Sequence, residues 1–227
     1  MKILSIMSCV GTTLVFASGQ PCTAAETMST STASPAWSPH AAGDAAHGAQ
    51  LVASCAGCHG HQGEGLAASG FPRLAGQPGT YLAKQLRDFV TGTRDSAVMA
   101  GFARNLSEQD VADVSVYYAT LEAPAAAASP AAAPPAKGAM LANLGDARLG
   151  VPGCGNCHGP NGRGEPPTAP YLAGQHQAYI AAQLEAWQKG SRHNDSGDQM
   201  AGLAKRLSAA DIAAVASYFA QQSPPKP

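Results

Sequence analysis

Charge is scarce in this chain. Only 13% of its 227 residues are Asp, Glu, Lys or Arg, and the signs nearly cancel at 14 basic against 15 acidic. That balance argues against general nucleic-acid binding, which needs a strong basic excess. Aromatic residues are also sparse, at 6%. Domains of this size would have difficulty filling a core from side chains alone, and a buried cofactor would help. Alternating strand patterns are missing, and so is any apolar run long enough for a comfortable membrane span. Beyond Cys9 and Cys22, near the N-terminus, the only cysteines form two pairs. No further thiols remain to complete a four-sulfur site.

The N-terminus reads as a secretory signal, residues 1–25. Lys2 supplies the positive start, and residues 3–16 are short and mostly apolar, broken by Ser5, Ser8, Thr12 and Thr13. Small residues follow, with cleavage expected after Gly19 or Ala25. The rival readings are an uncleaved anchor and a lipoprotein at Cys22, for which Gln20-Pro21 is a poor lead-in. Residues 26–39 are a Thr/Ser/Ala/Pro leader. Residues 123–139 are an Ala/Pro-rich linker, extended and semi-stiff because repeated Pro breaks any long helix. Two domains remain, 40–122 and 140–227.

These domains repeat each other. Cys55-Ala56-Gly57-Cys58-His59-Gly60 matches Cys154-Gly155-Asn156-Cys157-His158-Gly159. Pro72-Arg73-Leu74-Ala75-Gly76-Gln77 matches Pro170-Tyr171-Leu172-Ala173-Gly174-Gln175, and Met99-Ala100-Gly101 matches Met200-Ala201-Gly202. Residues 80–90 carry Leu82, Leu86 and Phe89 at helical spacing, with Gly92 as the stop; the counterpart carries Ile180, Leu184 and Trp187, stopped by Gly190. Ser107 with Asp110, and Ser208 with Asp211, resemble capping boxes that open two further amphipathic helices. Gly150-Val151-Pro152-Gly153 breaks the helix expected over 47–54 in the first half, so the second half's N-terminal helix is expected to be short or irregular. The fold class is all-α, a tandem duplication of small helical domains with long loops.

Each half contains Cys-x-x-Cys-His. In c-type haem attachment the two thiols add to the porphyrin vinyl groups, and two intervening residues set the sulfurs one helical turn apart. Cys55 and Cys58 would hold one haem with His59 on its iron; Cys154, Cys157 and His158 would hold the other. A single Cys-x-x-Cys could be a redox disulfide or half a zinc site, but two copies, each followed by His in an exported chain, favour haem. Of the six methionines, Met1, Met7, Met28, Met99, Met140 and Met200, only Met99 and Met200 occupy matched positions. Isolated Met is usually core filler; two matched ones suit the sixth iron ligand. Thioether favours ferrous iron and raises the potential. Filled axial positions leave no place for substrate, which suits an electron carrier rather than an enzyme. The carbonyls of Pro72 and Pro170 could accept the imidazole Nδ1–H and fix the tautomer; the alternative is a pair of simple turn prolines. His40, His47, His61, His176 and His193 read as surface or loop residues, and Tyr81 and Tyr179 as core aromatics.

On these motifs the chain resembles the di-haem cytochrome c4 family, built from two class I cytochrome c domains, over residues 43–122 and 137–222. The resemblance implies two helical domains related by pseudo-twofold symmetry, two covalent haem c groups, and iron ligands His59 with Met99 and His158 with Met200. It implies periplasmic electron carriage, often to a haem-copper terminal oxidase, with a quinol-oxidising complex as a suitable donor, no nucleic-acid partner and at most peripheral membrane association. The linker looks longer than the family's short connection, which would loosen the domain interface. Residues 40–122 carry net charge −3 and residues 137–227 carry +2, so Lys189, Arg192, Lys205 and Arg206 are expected to dock an acidic partner. The alternative functions are a di-haem subunit of a sulfide- or alcohol-oxidising dehydrogenase complex and, further off, a di-haem peroxidase.

Overall fold

Asp44 stands just before the first helix among the described residues. Its carboxylate accepts the free N–H groups of Ala46 and His47 at 2.8 and 3.2 Å and so caps α1 (Ala45–Leu51). The computed structural model describes residues 42–124, 135–167 and 169–226. The expected signal, the leader, His40, Met1, Met7, Met28, Cys9, Cys22 and most of the linker lie outside the described residues.

The first half continues with α2 (Ala53–His59), α3 (Gly79–Thr91), α4 (Ala97–Ala103) and α5 (Glu108–Thr120). The second half repeats this order as α6 (Ala136–Asn143), α7 (Gly155–His158), α8 (Gln177–Lys189), α9 (Gln199–Ala204) and α10 (Ala209–Ala220). The two long middle helices stop where expected, with Gly92 and Gly190 left-handed at φ 81° and 76°. Both capping boxes form, Ser107 with Asp110 and Ser208 with Asp211.

One reading of the sequence is corrected and one is refined. Residues 136–139, read as the end of the linker, are the first turn of α6, which is regular and sits earlier than expected. At eight residues it is short, and Gly150 to Gly153 do interrupt the run into the second motif: they belong to an inserted hairpin in which β1 (Gly145–Asp146) pairs antiparallel with β2 (Val151–Pro152), between α6 and the four-residue α7.

The first and last helices of each half cross with their backbones almost touching. A Cβ at Gly48 would lie 2.3 Å from the Asp113 carbonyl oxygen of α5, and one at Gly138 would lie 2.2 Å from that of Ala214 in α10. Around these crossings Val52, Leu82, Val114 and Tyr118 form the buried core of the first half. Leu141, Ile180, Leu184, Trp187, Val215 and Phe219 belong to that of the second.

The halves then pack on each other through a polar seam with twofold character. Arg94 and Arg192 pair as an antiparallel bridge. Asp95 N–H donates to the Ser191 carbonyl and His193 N–H to that of Thr93, both at 2.9 Å. Arg94 crosses to Tyr179 and Gln183, while Arg192 crosses to Tyr81 and Gln85. The loosened interface expected from the linker is therefore not what the described residues show.

Candidate functional site

The attachment motif needs a helix that ends abruptly at its histidine. In both halves a glycine provides this: Gly60 and Gly159 follow at φ 79° and 72°, where an L-residue would be strained. The chain turns back at once, and the carbonyls of His59 and His158 each accept a backbone N–H at 2.7 Å, from Gly65 and Gly164. Gly63 then takes the N–H groups of Leu74 and Ala75 at 2.8 and 3.0 Å, and Gly162 takes those of Leu172 and Ala173 at 2.7 and 2.9 Å. These bonds fix the Pro-x-Leu segment beside the histidine ring. The prolines are consequently more than turn residues. His59 Nδ1 lies 2.9 Å from the Pro72 carbonyl oxygen, and His158 Nδ1 lies 2.9 Å from that of Pro170. A carbonyl can only accept, so Nδ1 carries the proton and Nε2 keeps its lone pair. Burial pushes both imidazoles below their ordinary value, against the pull of the proline carbonyls. At the second site the Arg192 cation adds to the depression. Each ring is thus held neutral, buried and aimed, which is the form that ligates iron.

The four cysteines of the two motifs are free of disulfides. Burial raises the Cys55 thiol, which sits beside the Tyr118 hydroxyl, and pushes Cys154 up to about 11. Such thiols are poor nucleophiles at neutral pH and unlike a redox-active dithiol. Among the described residues no cysteine shares a cluster of three or more metal-binding side chains, so the zinc alternative finds no ligand set. Met99 lies in α4 with its N–H on Ser96 Oγ, and Met200 lies in α9 with its N–H on Asp195 Oδ2, both half-buried at matched turns.

Sequence reasoning missed the seam. Arg94 and Arg192 are 6% and 4% exposed. Among the described residues neither bonds a carboxylate; their donors go to the oxygens of Gln85, Gln183, Asn194 and the two tyrosines. Arg192 is therefore no part of an exposed docking face; Tyr81 packs against the first core as expected and turns its hydroxyl to the seam, where Tyr179 likewise meets an arginine. His176, read as a surface residue, bonds the Glu64 carbonyl at 3.0 Å across the seam. The last residue of Pro-x-Leu-Ala-Gly-Gln also works across it. Gln77 donates to the Tyr171 carbonyl, and Gln175 donates to that of Arg73, both at 2.9 Å. The repeated Gly-x-Arg after each middle helix, at Gly92 and Gly190, was the available signal.

Buried cations without acids are expensive. Arg73 is buried too, and among the described residues its Nε and Nη1 have no partner, and neither has Trp187 Nε1. A cofactor carrying carboxylates fits this donor set, and the two Cys-x-x-Cys-His turns with their aimed imidazoles fit its attachment and its metal.

Comparison with known proteins agrees. Residues 45–122 and 132–223 match the family model described as cytochrome c. A thiosulfate dehydrogenase electron acceptor from Thiomonas intermedia is 45% identical over 172 residues, 75% of this chain and 79% of that protein. Cytochrome c4 of Azotobacter vinelandii is 42% identical over 191 residues, 79% of this chain and 90% of that one. The crystal structure of reduced cytochrome c4 from Pseudomonas stutzeri superposes with a TM-score of 0.73 at 39% identity, covering 80% of this chain and all of that one.

Proposed function

Because this chain belongs to the cytochrome c family, as a di-haem protein of the cytochrome c4 type, we propose that it is a periplasmic carrier passing single electrons between redox proteins, with a haem-copper terminal oxidase as acceptor. Two covalent haem c groups are its cofactors. When bound, each supplies an iron that holds or releases one electron; the protein supplies attachment, ligands and a low-dielectric surround. Cys55 and Cys58 hold the first haem and Cys154 and Cys157 the second. His59 and Met99 ligate one iron, His158 and Met200 the other. The paired imidazole-to-proline bonds carry this reading, since they leave one aimed Nε2 lone pair per half. With a histidine and a methionine both committed to it, each iron would have no place for a substrate and would exchange electrons without binding one. The apolar helices keep water away, and the seam arginines offset the carboxylate charge.

A second reading is favoured by one observation, the 45% identity to a thiosulfate dehydrogenase electron acceptor. The chain would then take its electrons from a sulfur-oxidising dehydrogenase, as a soluble acceptor or as a bound subunit. Reduction by a purified enzyme of that class, or copurification with one, distinguishes it.

The primary test is the visible to near-infrared spectrum of the mature protein made with haem-attachment machinery. The expected result is two covalent haems per chain, both with the Met–iron charge-transfer band and neither binding carbon monoxide. A single haem, or one that binds carbon monoxide, would remove Met99 or Met200 from the ligand set and favour a peroxidase-like site.

A further inference from the structure

The two halves repeat closely, so a difference in the turn that carries each matched methionine is informative. Eight positions separate Arg192 from Met200, against five from Arg94 to Met99. In the first half, Ser96 stands directly before α4, and its hydroxyl accepts the Met99 N–H at 3.3 Å. That is just beyond the usual N–H···O range. From residue 95 to residue 98 it is the one side-chain hydrogen bond among the described residues.

The second half uses a carboxylate instead. Asp198, directly before α9, makes no side-chain bond to that helix and is left-handed at φ 53°, next to Gly197 at 64°. Asp195 does the capping from three residues further back. Its Oδ2 accepts the N–H groups of Met200 at 2.6 Å and Ala201 at 3.1 Å. Bonds to a charged acceptor are shorter and about twice as strong as those to a neutral hydroxyl. The other oxygen, Oδ1, is buried with no partner among the described residues, so no second donor draws the carboxylate away. A left-handed aspartate is strained, and such a turn persists only where its surroundings hold it. Asn194 supplies the other hold. Its amide donates to Gln85 and Asp88 of α3, and its Oδ1 accepts from Arg192. The turn carrying Met200 is thus fastened to the first half at one end and to α9 at the other.

We propose that Asp195 is a positioning residue for Met200, and that Met99 is the methionine its iron gives up first to a competing ligand. Thioether favours ferrous iron, so on ferric iron it is the axial ligand more easily lost. A backbone that cannot move keeps the sulfur at high effective concentration beside the metal, and a competitor must then be more concentrated to displace it. Met200 has such a backbone, held by a carboxylate at two N–H groups; Met99 has one long bond to a hydroxyl. The competing class is a small neutral nitrogen base such as imidazole. An Fe–S bond breaks and an Fe–N bond forms, the iron stays ferric, and neither an electron nor a proton is exchanged. The first half is therefore where a small base halts electron flow, while the second half keeps its methionine. The inference rests on methionine ligation in the carrier reading and adds an order of release to it.

Imidazole titration of the oxidised, intact di-haem protein tests this through the Met–iron charge-transfer band. The band is expected to vanish in two equal steps. Asp195→Asn keeps the shape and removes the charge; it is expected to bring the later step to roughly tenfold lower imidazole and leave the earlier one in place. Ser96→Asp gives the first half a carboxylate and is expected to push the earlier step to higher imidazole, narrowing the gap. This second variant decides the matter even if Asp195→Asn does not fold. The proposal fails if the band of the unaltered protein goes in one step, if Asp195→Asn leaves the later step in place, or if Ser96→Asp leaves the earlier one. Both steps moving together in either variant, as a general loosening of the fold would give, also sinks it. A band missing before any imidazole is added overturns the methionine ligands and this inference together. A band that is present, but lost in steps indifferent to residues 96 and 195, overturns this inference alone.

Discussion

At the scale of single residues, the chemistry is the most legible part. Cysteines, histidines and methionines in matched order point to their metal because few other uses explain those types at that spacing. The arginines gave no such signal, since charged side chains are almost never fully buried and the reading placed Arg192 outside. What buries it is the first half, packed against the second, and the repeated Gly-x-Arg was its one local trace. His47 was likewise read as surface. It is exposed, yet it ties α1 to α5 through a 2.7 Å contact between Nδ1 and Asp113 Oδ2. That bond raises the imidazole above 6.5, while the Asp44 N–H and then His47 hold Asp113 below 3.8. The histidine's contribution is complete below the free imidazole value and fades as pH climbs through the raised one. The aspartate's contribution is complete above the ordinary carboxylate value and fades in acid. His47→Ala is therefore expected to lower the melting temperature more at about pH 5.5 than at about pH 9. Equal losses at both would show that the contact carries no charge.

At the scale of elements, the helices were readable because their ends are marked. Glycine stops and Ser/Asp boxes stand where the chain must satisfy free backbone groups. The hairpin was not readable, since two strands of two residues are too short for any alternation, and Gly150-Val151-Pro152-Gly153 registered only as an obstacle to helix. The crossing glycines were equally silent, because a glycine within a helix ordinarily signals weakness. Here Gly48 and Gly138 let backbones meet at distances no side chain permits. Gly48→Ala and Gly138→Ala should each destabilise by about 1–3 kcal/mol despite the better helix propensity of alanine. Chemical denaturation of the holoprotein measures this, and a stabilised variant would mean the crossing has room to open.

At the scale of the whole molecule, the linker misled. Its length suggested loose domains, but the seam holds Arg94, Arg192, Gln77 and Gln175 in bonds that run both ways between the halves. If that seam sets the geometry, cutting the chain anywhere within 125–134 should leave the halves together on gel filtration, with the two midpoint potentials unchanged. Separation at micromolar concentration would assign the job to the linker. The reciprocity of the seam has a further meaning. Arg94 reaches the tyrosine and glutamine of the second half, and Arg192 reaches the equivalent pair of the first in return. A patch that is complementary to its own copy is the isologous contact of a symmetric homodimer. Such a surface works before any gene fusion, in a single-haem ancestor associating with itself, and fusion would then free the two copies to diverge. Phe89 and Trp187 are what that freedom looks like after the fact: one repeated position, each ring under its own arginine, filled by two different side chains.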